Sequence, residues 1–415
     1  MKTILVVAYG GGHINCLLPV IHCLRARSEL RVEVLALTTA AAVCAQQGIP
    51  CRQIRDFPAV QDARSIAHGQ RLAAASPPHP AVPLAESEAY LGANYRDLED
   101  EYGVVEAAKR YASVFRACFL PVNTLRGIIR SIAPEVVLVT SAPRAERAAV
   151  LAARQLHIPS IVVVDLFALA EVDVLKDSHF GEEICVLAGS VRDRLVAHGR
   201  PAAHIHITGN PVFDRLADPL LRARGLALRQ ARRWDSQEGD SQEGDSQQRV
   251  ITWASQPEPT NPQLPRRIEA TLIAALETNP TWHLVIRPHP SDTYPPPAPH
   301  PRLTFSTRAD DLHSVLAASD VVVTMTSTVG LEAVLLGKPL VTWDLSENTK
   351  FCPYSAMGFS RGVTEFEQLA VAINEAAEGL VATPELPRIG QACAAVVAVV
   401  DRYLRPAESA QPAAS

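Results

Sequence analysis

The sequence predicts an α/β protein that consists of two doubly wound domains in series. Short apolar runs rich in Val, Ile and Leu alternate with helical patterns in both halves of the chain. Runs that are apolar throughout are typical of parallel strands, because helices cover both faces of such a sheet. The chain has 415 residues, 47% of them hydrophobic, which is more than one ordinary core requires. We therefore expect two domains.

The first domain is predicted to span residues 1–212. Its strands and helices alternate as in β-α-β units. The segment from about 56 to 130 interrupts this alternation with a Pro-rich loop and further helical patterns, which indicates an insertion at the rim of the domain. The predicted strands are 3–8, 32–37, 136–140, 160–164 and 183–187, with a short strand from 205, and the predicted helices include 17–27 and 145–156.

The second domain is predicted to span residues 213–393, followed by a C-terminal helix and a frayed tail at 394–415. A tandem SQEGD repeat within 235–248 is acidic and lacks apolar residues, so we expect a disordered surface loop there. Gly337 stands where a helix ends, and Pro339 follows. The predicted strands are 249–253, 282–286, 303–305, 321–324 and 340–343, and the predicted helices are 268–277, 311–318 and 329–336.

Composition excludes several classes of protein. The formal net charge of −5 disfavours a general nucleic-acid binder. The eight cysteines lack CxxC spacing, as expected for reduced thiols in a cytoplasmic protein. The apolar run at 4–8 is too short for a secretion signal, and no apolar stretch reaches the roughly 20 residues of a membrane span. We expect a cytoplasmic protein.

Basic residues within 104–132 leave open a contact with the inner face of the membrane. Two interpretations fit this pattern: a segment that lies on a membrane surface, or an ordinary amphipathic helix pair. The basic residues are Lys109, Arg110, Arg116, Arg126 and Arg130.

A glycine-rich motif follows the first predicted strand. Gly10, Gly11 and Gly12 precede His13, directly before a helix. Glycines let the backbone approach a ligand closely and leave amide donors free at a helix start. His13 is the candidate catalytic base, since a neutral imidazole can take a proton from an acceptor hydroxyl. The alternative is a tight turn in which His13 only caps the helix.

A second motif, Arg287-Pro288-His289-Pro290, ends a predicted strand of the second domain. The prolines restrict the loop, so His289 is held in a fixed position. Arg287 and His289 at a strand end suit a phosphate or a carboxylate. The alternative is a proline-stiffened loop with exposed side chains.

The third motif is the hydroxyl-rich turn and helix at 324–333, with the sequence TMTSTVGLEA. Hydroxyls and free amides at a helix start can hold a diphosphate. An acidic residue in the first turn of the helix can accept hydrogen bonds from a ribose diol. The alternative is a Ser/Thr N-cap, which many helices have. The candidate donor-binding residues are Thr326, Ser327, Thr328, Gly330 and Glu332.

Four further residues follow predicted strands or turns, where ligands of open α/β sheets bind. Asn210 lies in a Gly-Asn-Pro turn, and Ser255 follows the first strand of the second domain; both are candidates for donor binding. Arg144 and Asp165 each follow a strand of the first domain, and we group them with Gly11 and Gly12 on the acceptor side.

In their order along the chain, these motifs resemble the GT-B glycosyltransferase superfamily. The group closest in motif order is the peptidoglycan N-acetylglucosaminyltransferases that make lipid II. Their Gly-rich loop ending in His looks like residues 10–13, and their strand followed by A-A-R…I-P looks like 134–159. Their T-G-N-P-V turn matches 208–212, and their ribose-binding helix looks like 326–333.

The chain also departs from that group. Its loop at 254–261, ASQPEPTN, replaces a GGSQGA loop. The RPHP motif instead resembles capsule-type transferases, which pair an HP motif with a Ser/Thr-rich loop to hold a CMP- or CDP-activated donor. The T-G-N and S/T-x-G-x-E-A pieces also resemble UDP-N-acetylglucosamine 2-epimerases, whose G-T-R-P-E loop is absent here.

The resemblance implies two Rossmann-like domains that face each other across a cleft. It implies a transferase that moves a sugar from a UDP- or CMP-linked donor to a glycan, lipid-linked or other small acceptor. Such enzymes serve bacterial cell-surface glycan biosynthesis. The sequence has no DxD-like cluster placed to hold a divalent ion, so we expect metal independence, and we expect no cofactor. An epimerase-like isomerase or sugar-nucleotide hydrolase, and a non-catalytic sugar-nucleotide-binding partner, are the alternatives.

Overall fold

The computed structural model describes residues 1–235, 248–292, 295–379, 386 and 389–404. The chain divides into two compact units. Unit 1 comprises residues 1–214 and the C-terminal segment from Gly390, and unit 2 comprises residues 215–389. The predicted disorder of the SQEGD repeat and fraying of the last ten residues fall on 236–247 and 405–415, outside the described residues.

Unit 1 contains a six-stranded parallel sheet in the order β2-β1-β3-β4-β5-β6. The central strands are buried on both faces, as their apolar sequences predict: every residue of β3 is buried. Because all strands run in one direction, their carboxyl ends meet at one edge of the sheet. The strands are β1 (Lys2–Tyr9), β2 (Leu30–Leu37), β3 (Val136–Thr140), β4 (Ser160–Val163), β5 (Glu183–Val186) and β6 (Ile205–Ile207).

Helices connect these strands, and four of them form the predicted insertion between β2 and β3. The prediction for α1 was wrong at its start: the helix begins at Gly11 and not at residue 17. Glycines are poor helix formers, which hid this turn from the sequence pattern. The helices are α1 (Gly11–Arg25), α2 (Ala40–Gln46), α3 (Ala63–Ala74), α4 (Leu84–Tyr102), α5 (Val104–Val114), α6 (Val122–Ile132), α7 (Ala145–Gln155), α8 (Val172–Leu175) and α9 (Gly189–Ala197).

Within the insertion, α6 is the amphipathic helix of the second interpretation. It buries Leu125, Ile128 and Ile129, whereas Ala107 is the buried residue of α5. In the described part of the chain, no helix is both long and apolar enough to span a membrane. Peripheral contact stays a prediction.

Helices α3 and α4 pack closely because glycines face the partner backbone. A Cβ atom at Gly92 would lie 1.9 Å from the Ser65 carbonyl oxygen, and one at Gly69 would lie 2.2 Å from that of Glu88. We therefore expect Gly92→Ala to lower the free energy of unfolding by about 1–3 kcal/mol through overpacking. Scanning calorimetry would measure this.

Gly189→Ala is the matched control, because Gly189 is also helical and a Cβ there would meet Ile207 only at 3.9 Å. This control should change stability little or raise it slightly. Equal stability of the two variants would contradict the close packing of α3 on α4.

Unit 2 contains the second six-stranded parallel sheet, in the order β12-β11-β10-β7-β8-β9. The sequence analysis predicted five of these strands and missed β12, in which only Val363 is buried. The strands are β7 (Arg249–Ala254), β8 (Trp282–Arg287), β9 (Leu303–Phe305), β10 (Val321–Thr324), β11 (Leu340–Trp343) and β12 (Arg361–Val363).

Three of the five helices described in unit 2 were predicted, with bounds within four residues of those observed; the helices at 221–232 and 368–377 were not predicted. At the end of one of them, Gly337 has φ +70°, and the Lys338 amide donates to the Ala333 carbonyl, which confirms the predicted glycine stop. The helices are α10 (Leu221–Arg232), α11 (Leu264–Ala275), α12 (Leu312–Ala318), α13 (Thr328–Leu335) and α14 (Gln368–Ala377).

The last helix, α15 (Ala392–Leu404), belongs to unit 1. Val396 and Val400 are fully buried in the same core as α1 and β1. The Asp214 carboxylate accepts the backbone N–H groups of Gly390, Ala392 and Cys393, which fastens the start of α15. The two sheets with their flanking helices confirm the predicted fold class of two Rossmann-like α/β domains.

Candidate functional site

The glycine-rich motif lies at the carboxyl edge of the unit 1 sheet. Gly10 has φ +87°, a conformation that favours glycine, and it forms the N-cap of α1. Gly11 and Gly12 are therefore in the first helical turn and not in a loop before it. The Gly11 amide donates to Thr39 Oγ1 at 3.0 Å, so this donor is occupied within the protein. Gly12 is exposed.

His13 is held by the end of the neighbouring strand. Its Nδ1 lies 3.0 Å from Oγ1 of Thr140, the fully buried last residue of β3. Burial lowers the pKa of His13; the charge of Asp165 opposes this effect and that of Arg144 adds to it. The predicted acceptor-side residues Arg144 and Asp165 are thus both close enough to His13 to act on its charge. When Nδ1–H donates to Thr140, Nε2 carries the free lone pair that a base requires.

Asn210 lies in unit 1 and not with the other predicted donor-binding residues. It is 4% exposed, and its Nδ2 donates to the Asp165 carbonyl at 2.7 Å. Its Oδ1 accepts from the Val212 amide and the Cys16 thiol. The side chain therefore holds the turn after β6 against β4 and α1.

Glu146 lies in this region and is not among the candidate residues of the sequence analysis. One carboxylate oxygen accepts the Tyr9 amide at 2.5 Å, and the other is buried without a hydrogen-bond partner among the described residues. Burial raises the pKa of Glu146 to about 8. The guanidinium of Arg144 lies 5.0 Å from the centre of the Tyr9 ring. A protonated carboxyl group therefore adjoins the glycine-rich motif near neutral pH.

This raised pKa predicts a pH dependence of stability. Between the ordinary carboxyl pKa of about 4.3 and a pKa of about 8, the folded state keeps a proton that the unfolded state releases. The free energy of unfolding should therefore fall as pH rises through this window, by on the order of a few kcal/mol, and level off above it. Glu146→Gln should remove this contribution and be the more stable protein at pH 8.5. Calorimetry from pH 5 to 9 would measure it.

The control is Glu106→Gln, since Glu106 is half-exposed on α5. That variant should keep the slope of the parent protein. If Glu146→Gln retained the same slope as well, Glu146 would not be protonated in the folded state.

The hydroxyl-rich turn lies at the carboxyl edge of the unit 2 sheet, between β10 and α13. Thr324 is fully buried, and its hydroxyl donates to the Ala254 carbonyl at 2.8 Å. The Ser327 hydroxyl caps α13 by accepting the Val329 amide at 3.3 Å. Thr328 is exposed at the first position of the helix. The hydroxyls of Thr324 and Ser327 therefore have partners within the protein, whereas Thr328 lies at the surface.

Gln256 orders this turn and was not singled out by the sequence analysis. Its Nε2 donates to Thr326 Oγ1 at 2.8 Å, and its Oε1 accepts the Thr326 amide at 2.9 Å. Both residues are buried. The loop after β7 and the turn after β10 are therefore joined, as expected for neighbouring strands in the sheet order.

Glu332 is the fifth residue of α13, so the prediction that it lies in the first turn was wrong. The helix starts at Thr328, after the Ser327 cap. Glu332 is 4% exposed. Its Oε1 accepts from Arg215 Nη2 at 2.8 Å and its Oε2 from His313 Nε2 at 3.1 Å. Gly330 is buried in the same helix, where a Cβ atom would lie 3.1 Å from the Thr324 methyl group.

The RPHP motif follows β8, on the other side of β7. The Arg287 guanidinium donates to Ser306 Oγ at 2.9 Å and to the carbonyls of Thr307 and Asp310, so it fastens the loop after β9. His289 is half-buried, and its Nδ1 lies 2.7 Å from Ser291 Oγ.

Asp292 joins the RPHP loop to the loop after β7. Its carboxylate accepts the His289 amide at 3.1 Å and the Ser255 hydroxyl at 3.4 Å. Ser255 also donates its amide to the Arg287 carbonyl at 2.9 Å. The structure therefore brings the predicted donor-binding residues of unit 2 to three adjacent strand ends.

Ser327 and Thr328 should contribute differently to the stability of unit 2, because Ser327 caps α13 and Thr328 is exposed. Ser327→Ala should lower the free energy of unfolding of unit 2 by about 1 kcal/mol, because the N-cap is lost. Thr328→Ala should leave it within about 0.5 kcal/mol, since its side chain is exposed. All four tryptophans of the chain lie in unit 2, so urea unfolding followed by tryptophan fluorescence reports on this unit. Equal losses in both variants would contradict the assignment of the cap to Ser327.

Within the described residues, no group of three or more His, Cys, Asp and Glu side chains is arranged to hold a metal ion. Metal independence remains a prediction.

Comparison with known proteins gives a partial match to one family and a likeness in fold. The model of a family described as capsule polysaccharide biosynthesis protein matches residues 263–346. That range contains the RPHP motif and the hydroxyl-rich turn with α13. No curated protein sequence gives a significant match.

Solved structures match over nearly the whole chain. The UDP-GlcNAc 2-epimerase of Neisseria meningitidis, solved with UDP-GlcNAc, has 15% identity and a TM-score of 0.60, over 97% of this chain and 100% of its own. The epimerase of Methanocaldococcus jannaschii has 13% identity and a TM-score of 0.59, over 97% and 100%. A glycotransferase of kitacinnamycin has 17% identity and a TM-score of 0.56, over 97% and 99%. At these identities the likeness shows the fold alone, and that fold of two Rossmann-like domains agrees with the one that the motif resemblance implied.

Proposed function

We propose that the protein is a glycosyltransferase that uses a nucleotide-sugar donor. The observation that carries the proposal is the arrangement at the carboxyl edge of the unit 2 sheet. An exposed hydroxyl at Thr328, the start of α13 and the ionised Glu332 occur within one short segment. A helix start favours phosphate, and a buried carboxylate favours hydroxyl donors such as those of ribose.

The residues of unit 1 supply the chemistry in this proposal. His13 is neutral near pH 7 because burial lowers its pKa, so Nε2 takes the proton of the acceptor hydroxyl. The acceptor oxygen then bonds to the anomeric carbon as the bond from that carbon to the donor phosphate breaks. The backbone amides at the start of α13 and the basic side chains of unit 2 stabilise the negative charge of the leaving nucleotide. This step requires neither metal nor cofactor.

The partial family match supports the class of product. It places the RPHP motif and the hydroxyl-rich turn inside a segment typical of capsule polysaccharide biosynthesis proteins. The proposed donor is UDP- or CMP-linked, and the acceptor is a glycan or a lipid-linked or other small sugar acceptor. We place the reaction in the cytoplasm. In one form of the proposal, the acceptor is presented at the inner face of the membrane.

A second candidate is epimerisation of the nucleotide sugar. The UDP-GlcNAc 2-epimerases that match the chain over 97% of its length favour it. The absence of the G-T-R-P-E loop from the start of the sequence disfavours it. Products separate the two functions: a transferase consumes the donor only with an acceptor, whereas an epimerase or a hydrolase converts it without one.

The first experiment is a thermal-shift series with UDP, CMP, CDP, GDP and TDP. A ligand that binds only the native state raises its stability by RT ln(1 + [L]/Kd), so the nucleotide that stabilises the protein identifies the donor class. The proposal predicts stabilisation by UDP, CMP or CDP. No stabilisation by any of the five would overturn it. Binding without turnover of the matching nucleotide sugar would favour a non-catalytic binding partner.

A further inference from the structure

Glu332 is held from two sides by cationic or proton-donating side chains of unit 2. Arg215 comes from the 3-10 segment Pro211–Ala217, and His313 comes from α12. Each donates to a different carboxylate oxygen, at 2.8 Å and 3.1 Å. Burial would raise the pKa of Glu332, but the hydrogen bond from His313 and the charge of Arg215 lower it. Glu332 is therefore an ionised carboxylate with a fixed orientation.

His313 also lies near a second carboxylate, beyond hydrogen-bond distance. Its Nδ1 lies 3.9 Å from an oxygen of Asp311, the N-cap of α12. Its Nε2 faces Glu332, so Nε2 must carry the proton that Glu332 accepts. The other charged group at Glu332 is Arg215, whose side chain is 51% exposed.

The hydrogen-bond capacity of Glu332 exceeds what these partners use. Each carboxylate oxygen has two lone-pair positions, and Arg215 and His313 occupy one on each oxygen. Within the part of the chain that the structure describes, these contacts leave one acceptor position on each of the two carboxylate oxygens. Two neighbouring hydroxyl donors, such as the 2′ and 3′ hydroxyls of ribose, match this arrangement.

We propose that Arg215 and His313 are positioning residues that orient Glu332 for a ribose diol and so make unit 2 selective for ribonucleotides over 2′-deoxyribonucleotides. This inference rests on the proposed function, since it assumes that unit 2 binds the nucleotide. It adds two residues to the site, and neither belongs to a motif that the sequence analysis singled out.

The test measures Kd by calorimetric titration of the full chain with UDP, 2′-deoxy-UDP, CMP and 2′-deoxy-CMP. The parent protein should bind the ribonucleotide about 10- to 100-fold more tightly than its deoxy counterpart, as expected for a hydrogen bond to a charged group. His313→Ala and Arg215→Ala should bring this ratio toward one. His313→Gln and Arg215→Lys keep a donor and should restore part of it.

Arg224→Ala is the matched control, because Arg224 forms an exposed ion pair with Asp218 in the same unit. It should keep the ratio of the parent protein. A purely structural role of Arg215 and His313 would weaken both nucleotides equally and leave the ratio unchanged, which would overturn the inference. Where an alanine variant fails to fold by circular dichroism, the Gln and Lys variants carry the test: an unchanged ratio overturns the inference and an intermediate one supports it.

The same titration separates this inference from the proposed function. If the parent protein binds none of the nucleotides, the proposed function fails. If it binds ribonucleotide and deoxyribonucleotide equally, the proposed function stands and the positioning role fails.

Discussion

His13→Ala should lower turnover by about 100- to 10,000-fold, the range that a general base contributes. The physical reason is the position of His13 in the first turn of α1, where Thr140 holds Nδ1 and burial keeps the imidazole neutral. Alanine removes the proton acceptor but leaves the fold of the first turn of α1 intact. Because the proposed donor-binding residues other than Asn210 lie in unit 2, nucleotide affinity should remain within about twofold of the parent value.

The measurement is kcat with the matching nucleotide sugar and acceptor, together with Kd for the nucleotide alone. His22→Ala is the control, since His22 is exposed near the end of the same helix. Parent-like turnover of His13→Ala would remove His13 from the mechanism. A loss of nucleotide affinity equal to the loss of turnover would make His13 a binding residue.

Glu332→Ala should have the second-largest effect, on nucleotide binding. It removes the acceptor for the ribose hydroxyls, so affinity should fall about 10- to 100-fold. It also leaves His313 and Arg215 without their partner. Only His313 is largely buried, at 15% exposure, whereas Arg215 reaches solvent, so the loss of stability should be moderate.

Glu332→Gln separates these two effects, because glutamine preserves the shape of the side chain and can accept a hydrogen bond at one oxygen only. We expect it to fold like the parent protein and to bind the nucleotide more weakly. Glu277→Ala is the control, since the side chain of Glu277 is 77% exposed in the same unit. Parent-like affinity of both Glu332 variants would exclude Glu332 from the nucleotide site.

Most of the strands were predictable because they are buried on both faces; the edge strand β9, whose residues are only half-buried, was predicted as well. Residues 136–140, 303–305, 321–324 and 340–343 were predicted with the same bounds as β3, β9, β10 and β11. Strand β12 was missed because its three residues include an exposed Arg361 and a glycine, so it lacks an apolar run. The start of α1 was missed because its first turn contains Gly11 and Gly12. Local sequence therefore predicts buried strands well. It predicts poorly a helical turn that contains weak helix formers and depends on tertiary contacts.

The candidate site was only partly predictable. The sequence analysis placed Ser327 and His289 at strand ends, where the structure has them. Their internal partners come from distant parts of the chain: Gln256 reaches Thr326 across 70 residues, and Glu146 reaches Tyr9 across 137. Such contacts depend on strand order, and no local pattern reports strand order. For the same reason, a hydroxyl that the sequence analysis proposed as a ligand contact can instead stabilise the fold, as Ser327 does by capping α13.

The central claim is that the start of α13 holds the phosphates of an activated sugar. A crystal structure of the protein with the stabilising nucleotide tests it most directly. The account predicts phosphate oxygens within about 3 Å of the amide or hydroxyl of Thr328, and ribose hydroxyls within the same distance of Glu332. A nucleotide bound away from α13, with Thr328 and Glu332 untouched, would contradict it.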